Sequence, residues 1–161
     1  DLTQHEKFSS KSLSYFNEAE KERYLPSIIE TSAGCDRSVL VFLLDAYDDD
    51  KENGRIVLRF HPKIAPIKAC IMPLSRKPEL IEPSKKLYEA CSDLFHTQYD
   101  ETGSIGKRYR RQDELGTPLC ITYDFDSVND SQVTVRDRDT MSQERINIDL
   151  VQSYIKDKLH L

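Results

Sequence analysis

The sequence lacks a long hydrophobic run. The longest stretch of apolar residues, Val39–Leu44, is far shorter than the about 20 residues that a membrane-spanning helix needs. No charged segment followed by an apolar one opens the chain, so a secretory leader is not recognised. These absences predict a cytoplasmic protein. The first residue is Asp1 rather than Met, which suggests a fragment or a processed chain.

Paired cysteines are also missing. The four cysteines are widely spaced, none belongs to a Cys-x-x-Cys pair, and three lie within apolar segments. Buried free thiols are therefore predicted in preference to disulfides or a metal site. The four histidines are scattered along the chain, so no metal ligand set is expected.

An excess of positive charge is lacking as well. The 23 Lys and Arg are outnumbered by 28 Asp and Glu, which gives a net charge of −5. This balance argues against nonspecific coating of nucleic acid, so any such binding must use a local basic patch. With 161 residues, 38% of them hydrophobic, the chain can bury one core with room for a smaller appendage.

The most informative segment present is residues 103–118, which predicts one short basic helix. Ser104 is a natural N-cap, and Gly116 is a natural left-handed residue after the last turn. At about 100° per residue, Ile105 and Tyr109 share one side of this helix. The other side carries the cations Lys107, Arg108, Arg110 and Arg111.

The order of the charges in this helix opposes its macrodipole. Cations crowd the N-terminal half, while Asp113 and Glu114 lie near the C-terminal end, where each charge is disfavoured by about 0.3 to 1 kcal/mol. A bound polyanion would offset that cost, because free N–H groups, the dipole and the cations would all face phosphate. A solvated charged face explains the same pattern without a ligand. Both interpretations stay open at this point.

The prolines near residue 61 divide the chain into two predicted domains, residues 1–60 and 61–161. In the first, residues 1–22 are predicted to be an irregular or partly ordered lead-in and residues 23–30 a strand. Residues 35–47 predict a helix that is apolar nearly all round, as in a buried helix, although its packing partners are missing from the chain. An acidic turn at 48–54 and a short strand at 55–60 follow.

The second predicted domain alternates strands and helices. Strands are expected at 67–74, 96–99, 119–125, 132–138 and 144–148, and a turn at 129–131. Helices are expected from Ser84, over the basic segment, and after a cap at Asp149. This order predicts an α/β fold with a mixed sheet of about five strands flanked by about three helices.

Ligands approach such an open sheet past the carboxyl ends of its strands. After the strand at 67–74 comes Ser75-Arg76-Lys77-Pro78 rather than a glycine-rich phosphate loop. The segment therefore weakens the hypothesis of a small-cofactor enzyme.

Four blocks of sequence carry a family resemblance. Residues 103–118, Thr122-Tyr123-Asp124-Phe125-Asp126, and Arg136-Asp137-Arg138-Asp139-Thr140-Met141 resemble the C-terminal anticodon-binding domain of the glycyl-tRNA synthetase family. Upstream, residues 29–37 (Ile-Glu-Thr-Ser-Ala-Gly-Cys-Asp-Arg) resemble motif 3 of class II synthetases in its glycyl form. The resemblance covers nearly the whole chain and is most specific over residues 61–161.

The motif 3 resemblance implies roles for three residues. Glu30 would receive the ammonium group of glycine, Ser32 would lie against its α-carbon, and Arg37 would clamp ATP. These residue types suit those tasks, since a carboxylate pairs with an ammonium and a guanidinium suits phosphate or a purine face. Without the resemblance, the residues alone favour an ordinary ion pair between Glu30 and Arg37 at a strand end.

The sequence departs from the family pattern in two ways. Thr31 stands where proline is expected, which leaves the turn less rigid. Motifs 1 and 2 are absent, so the chain by itself is predicted not to aminoacylate tRNA. The full-length family member would be an enzyme, a glycine–tRNA ligase, that activates glycine with ATP and Mg²⁺ and transfers it to tRNA(Gly).

For tRNA binding, the resemblance favours phosphate contacts by Lys107, Arg108, Arg110 and Arg111. Arg136 and Arg138 share one face of a predicted strand and could read base edges, braced by Asp137 and Asp139. A surface ion-pair ladder explains Arg136 to Asp139 equally well. The resemblance further implies a homodimer when full length, a cytoplasmic location, and neither membrane nor DNA as partner.

Two other functions compete with this one. The first is a non-catalytic nucleic-acid-binding accessory module on the same fold, such as a polymerase subunit. The intact residues Glu30, Ser32 and Arg37 speak against it, because a module without catalysis has no need of them. The second is a structural or protein-interaction domain, which absence of RNA binding would favour.

Overall fold

The computed structural model describes residues 1–160, which fall into two units. The first is Asp1–Cys35, and the second begins at Asp36. The domain boundary predicted near residue 61 stays a prediction.

The first unit contains more regular structure than its sequence indicates. It has a helix, α1 (Leu2–Ser9), and an antiparallel hairpin of β1 (Tyr15–Asn17) and β2 (Glu22–Tyr24). Of the two predicted alternatives, an irregular lead-in is wrong for these segments, whereas a partly ordered one agrees with them. Local contacts explain the difference, because Glu6 accepts a hydrogen bond of 2.7 Å from the Leu13 amide and the Tyr15 and Tyr24 rings pack edge to face. Such contacts leave no periodic pattern in the sequence.

The strand predicted at residues 23–30 is also wrong beyond Tyr24. Residues 25–34 have no regular structure. Within residues 1–160 no strand pairs with this segment, and a strand without a neighbour leaves its backbone N–H and C=O groups without ladder partners.

The predicted apolar helix, α2 (Cys35–Ala46), belongs to the second unit from Asp36 onward. It is followed by a hairpin of β3 (Tyr47–Asp50) and β4 (Arg55–Leu58). The six apolar side chains from Val39 to Leu44 are 40 to 69% exposed. Among the described residues, α2 thus has no elements that cover its apolar surface, as the sequence predicts. Only Ala46 of this helix is buried.

The remaining elements build the sheet and its helices. They are β5 (Ala69–Pro73), α3 (Pro78–Ser92), β6 (Thr97–Tyr99), α4 (Ile105–Leu115), β7 (Leu119–Tyr123), α5 (Ser127–Asp130), β8 (Gln132–Asp137), β9 (Gln143–Asn147), a 3₁₀ turn (Ile148–Leu150) and α6 (Val151–Leu159). The strand order is β6-β5-β7-β8-β9. β6, β5 and β7 are parallel to one another, and β8 runs antiparallel to both of its neighbours, β7 and β9. The predicted mixed α/β sheet of five strands is confirmed.

Two apolar layers cover the two faces of the sheet. On one face Ile71, Ile121 and Val135 pack with residues of α3 and α6, including Leu80 and Ile155. The alternate positions of the strands point to the other face, as the pleat requires.

That second layer belongs to α4. Cys70, Met72 and Cys120 pack there with Ile105 and Tyr109. The helix α4 therefore lies on the opposite face from α3 and α6. Cys70, Cys91 and Cys120 are buried free thiols, as predicted, and burial raises the pKa of Cys91 to about 11, whereas Cys35 is exposed.

Two element boundaries differ from the sequence-based expectation. α3 begins at Pro78 rather than at Ser84, because proline suits the first helical position and Ser84 uses its hydroxyl inside the helix, donating to the Leu80 carbonyl at 2.7 Å. The short helix α5 (Ser127–Asp130) takes up residues 129 and 130 of the turn predicted at 129–131. Asn147 rather than Asp149 caps the 3₁₀ turn before α6.

A buried carboxylate joins the hairpin, α4 and the sheet. Asp113 of α4 is fully buried and accepts two hydrogen bonds from Arg136 of β8, at 2.8 and 3.1 Å. Arg55 of β4 donates to the same carboxylate at 3.1 Å and to Asp50 at 2.8 Å. The Arg136 guanidinium also lies 5.0 Å from the centre of the Tyr109 ring. These contacts attach the β3–β4 hairpin to the sheet.

Replacing Asp113 with asparagine keeps the shape but removes the charge that faces two buried arginines. We expect Asp113→Asn to lower the free energy of unfolding by about 3 to 5 kcal/mol, measured by urea titration. Asp130→Asn, at an exposed pair with Arg145, is the matched control and should cost at most about 1 kcal/mol. Equal losses in both variants would contradict the structural role of Asp113.

Gly116, which ends α4 with φ of 76°, also has little room for a side chain. A Cβ atom there would lie 2.5 Å from the Phe60 ring and 2.8 Å from the Leu58 carbonyl oxygen. We expect Gly116→Ala to cost about 2 to 4 kcal/mol of stability in the same titration, because strain and crowding add.

Gly103→Ala separates the two contributions, since its φ is 82° but no atom lies within 4 Å of the added Cβ. It should cost only about 1 kcal/mol. Gly106→Ala, inside α4 and also without neighbours, should gain about 0.5 to 1 kcal/mol. A Gly116→Ala protein as stable as the Gly103→Ala protein would refute the crowding at residue 116.

Candidate nucleic-acid interface

The basic helix has the limits that its sequence predicts. Ser104 precedes α4 with an extended backbone, although its hydroxyl makes no capping hydrogen bond, and Gly116 follows in the left-handed conformation. Ile105 and Tyr109 face the sheet as expected. Polar contacts add to this apolar edge, since the Tyr109 and Thr122 hydroxyls lie 2.8 Å apart.

Arg108 is not part of the exposed basic face. The prediction that it lies there is wrong, because the residue is only 2% exposed. Its guanidinium donates to the carbonyls of Pro73 and Leu74, where β5 ends, and burial lowers its pKa. Backbone carbonyls at the end of a strand need hydrogen-bond donors, and the guanidinium of Arg108 provides them for these two carbonyls. Its Nε atom has no hydrogen-bond partner within residues 1–160.

The other three cations of α4 reach solvent to different degrees. Arg111 is half-buried and donates to Asp100 at 2.6 and 3.1 Å. Arg110 is exposed and donates to the Asn53 carbonyl at 3.0 Å. Lys107 is exposed, and its side chain makes no hydrogen bond or ion pair in the part of the chain that the structure describes. Lys107 and Arg110 therefore form the exposed basic face.

Arg136 and Arg138 are both buried, at 5% and 2% exposure. Arg136 is bound to Asp113, and Arg138 donates to the carbonyls of Gly116 and Phe60 at 2.8 and 2.9 Å. The guanidinium groups thus serve contacts inside the protein. The alternative of a surface ion-pair ladder is wrong for Arg136, which pairs with Asp113, and only Arg138 pairs within the predicted ladder, with Asp139.

Arg108 and Arg138, one from each predicted group of tRNA contacts, bind at opposite edges of the sheet. Arg108 binds where the parallel strand β5 ends, whereas Arg138 binds near Gly116, just before β7 begins. Arg136, however, reaches α4, because Arg136 and Arg110 both approach the Asp113 carboxylate, at 2.8 and 4.0 Å. The structure therefore brings one cation of each group to the same carboxylate.

The carboxyl ends of the parallel strands carry further exposed groups that the sequence analysis did not assign. Arg76 and Lys77 follow β5, and Phe125 follows β7. Arg76 donates to the Glu101 carbonyl at 2.9 Å, and Lys77 Nζ lies 4.7 Å from the centre of the Phe125 ring. The sequence signal for this group was an aromatic residue, Phe125, two positions after the end of a buried strand.

The three residues expected at a glycine and ATP site are all exposed. Glu30 and Ser32 lie in the irregular segment 25–34 of the first unit, and Arg37 lies in the first turn of α2 in the second unit. Their predicted roles stay predictions.

Two other features, a metal-binding cluster and a membrane-spanning helix, are not found among the described residues. Within residues 1–160 no group of three or more His, Cys, Asp or Glu is arranged to hold a metal ion. Among the same residues, no helix is both long and apolar enough to cross a membrane.

Comparison with known proteins gives a consistent result. The family model described as "Anticodon binding domain" matches residues 68–158. The glycine–tRNA ligases of Lachnospira eligens and Acetivibrio thermocellus are 54% and 55% identical to this chain, over 98% of its length but 34% of theirs. That of Borreliella afzelii is 52% identical over 99% of this chain and 37% of its own length. The chain thus spans about a third of the length of the curated relatives it matches.

The matched residues, 68–158, include the whole five-stranded sheet with α3, α4 and most of α6. The chain therefore belongs to the anticodon-binding-domain family.

Proposed function

We propose that this chain is the tRNA-recognising part of a glycine–tRNA ligase and that it binds the anticodon region of tRNA(Gly). Identity above 50% to glycine–tRNA ligases over almost the whole chain supports the choice of tRNA. The same similarity disfavours a polymerase accessory module. The complete protein would be a cytoplasmic homodimer that uses glycine, ATP and Mg²⁺.

The observation that carries the binding surface is the exposed basic face of α4, Lys107 and Arg110. Both cations lie in a helix whose charge order opposes its macrodipole, and an RNA phosphate near its N-terminus would remove that conflict. With a net charge of −5, the chain needs such a local patch to attract RNA. Arg111 lies beside this face and contributes its exposed part.

Arg108, Arg136 and Arg138 are buried beneath this surface and hold α4 in place. Arg108 holds the N-terminal half of α4 on the end of β5, and Arg136 holds its C-terminal half through Asp113. We therefore assign tRNA phosphates to Lys107, Arg110 and Arg111, and treat the three buried arginines as residues that position the helix.

Removing an exposed cation of α4 should weaken tRNA binding and its salt dependence together. We expect Lys107→Ala and Arg110→Ala each to reduce the slope of log affinity against log salt by about one, because one phosphate contact is lost. Fluorescence titration of the purified chain with tRNA(Gly) at several salt concentrations measures both quantities. Lys158→Ala is the control, since Lys158 is exposed on α6, across the sheet from α4.

Unchanged slopes in Lys107→Ala and Arg110→Ala would remove α4 from the interface. A tRNA(Gly) with a swapped anticodon, titrated in parallel, tests the recognition itself. We expect weaker binding to the swapped tRNA. Equal binding would leave only an electrostatic RNA surface and favour the accessory module.

For the longer protein we propose that Glu30 and Ser32 bind glycine and that Arg37 binds ATP. The side chains suit these ligands, and their exposure leaves them accessible. Within residues 1–160 no strand pairs with the irregular backbone around Glu30. By itself the chain lacks the elements that hold most of ATP, so we expect no aminoacylation by it.

In a full-length glycine–tRNA ligase carrying this segment, Glu30→Gln should impair glycine activation, because a neutral amide pairs more weakly with an ammonium group. Glycine-dependent pyrophosphate exchange measures this step without tRNA. Glu22→Gln, an exposed carboxylate of the first unit, is the control and should leave the exchange rate unchanged. Undiminished exchange in Glu30→Gln would refute the assignment.

A further inference from the structure

Phe125 is an exposed aromatic ring at the carboxyl edge of the sheet. The residue is 41% exposed although it follows the buried strand β7 by only two positions. Lys77, which follows β5, places its ammonium group 4.7 Å from the centre of the ring. The contact spans two neighbouring parallel strands, and the Leu74 amide donates to the Tyr123 carbonyl at 2.8 Å between them.

The position of this pair in the topology favours a ligand. The chain leaves β5 through α3 on one face of the sheet to reach β6, and then returns through α4 on the other face to β7. The connections therefore diverge between β5 and β7. In open α/β sheets, ligands bind in the crevice at such a switch point, beyond the carboxyl ends of the strands. Lys77 and Phe125 stand on either side of it.

The chemistry of the pair suits an unpaired nucleobase. Bases splayed from a single-stranded loop stack on aromatic side chains, and a cation beside the ring pairs with the neighbouring phosphate or with a π-face. Arg76 adds a second exposed cation in the same loop. Lys77 lies 3.9 Å from Glu79, but both side chains are more than half exposed, so this pair is weak.

The acidic residues next to Phe125 do not prevent this binding. Burial opposes ionisation of Asp124, but hydrogen bonds from Arg145 and Ser127 outweigh it and lower the pKa of Asp124, so its charge is compensated. Asp126 is exposed and would repel phosphate at the ring itself. The ring therefore suits the base of a nucleotide, while Lys77 and Arg76 suit its phosphate.

We propose that Phe125 and Lys77 form a stacking site for one unpaired base of the bound tRNA, at the switch point between β5 and β7. This inference rests on the proposed function, since it assumes that RNA binds to this chain. It also extends the interface, because Arg108 of α4 donates to the Leu74 carbonyl in the loop that leads to Lys77. The exposed face of α4 would hold the backbone and the switch point would hold a base.

The test compares binding of tRNA(Gly) to the full 161-residue chain and to its Phe125 variants. Phe125→Ala should weaken binding by between about fivefold and about a hundredfold, because stacking is lost. Phe125→Trp should restore the affinity. The slope of log affinity against log salt should be unchanged in Phe125→Ala, since no phosphate contact is removed, and reduced in Lys77→Ala.

Phe8→Ala is the matched control, as Phe8 is an exposed phenylalanine of the first unit and should leave the affinity unaltered. A second measurement places 2-aminopurine in the anticodon loop, where stacking on Phe125 should quench its fluorescence and Phe125→Ala should restore it. Circular dichroism confirms that each variant is folded.

The outcomes separate the two proposals. If the unaltered chain binds tRNA(Gly) and Phe125→Ala binds equally well without a change in 2-aminopurine fluorescence, the stacking site is refuted and the proposed function stands. If the unaltered chain does not bind tRNA(Gly), both fail. A further variant, Phe125→Leu, separates stacking from simple apolar burial. Affinity for tRNA(Gly) that is kept in Phe125→Trp but lost in Phe125→Leu would establish stacking.

Discussion

The carboxylate of Asp113 is the contact on which the arrangement of the second unit depends. It lies fully buried between Arg136 of the sheet and Arg55 of the hairpin, so three elements distant in sequence meet at one charge. A buried carboxylate is costly unless it is paired, and here two guanidinium groups pair with it. Its partners also resolve the unfavourable position of an acid near the C-terminal end of α4.

This arrangement separates arginines that hold the protein together from cations that face solvent. Arg108 caps the end of β5, Arg136 binds Asp113, and Arg138 binds backbone carbonyls beside Gly116. Lys107 and Arg110 remain exposed on a helix that these contacts keep in place. A rigidly held basic surface loses little conformational freedom on binding, which favours affinity for a polyanion.

The sheet topology supplies a second functional element. The helices α3 and α4 lie on opposite faces of the sheet, and an aromatic ring and an ammonium group meet where β7 and β5 end. In the proposed interface, α4 offers a cationic surface for an RNA backbone and this edge offers a flat ring for a base. Those are the two kinds of contact that recognition of a single-stranded RNA loop requires.

The periodic parts of the fold were predictable from the sequence. The buried run around Ile71, the cap and stop signals at Ser104 and Gly116, and the alternation of strands and helices led to the observed mixed sheet. The local structure of residues 2–24 was not predictable in this way, because it depends on single contacts such as Glu6 with the Leu13 amide. The strand expected around Glu30 failed for the opposite reason, since it has no neighbouring strand within residues 1–160. The sequence by itself determined the family, the order of elements and the presence of a basic helix, because these follow from periodicity, capping residues and ordered motifs. Only the tertiary structure decided which cations are exposed. The cations of α4 cannot be sorted by charge alone, as Lys107 and Arg108 are adjacent in sequence yet one faces solvent and the other the end of β5. Burial and pairing depend on residues far along the chain, and so does the meeting of Lys77 with Phe125.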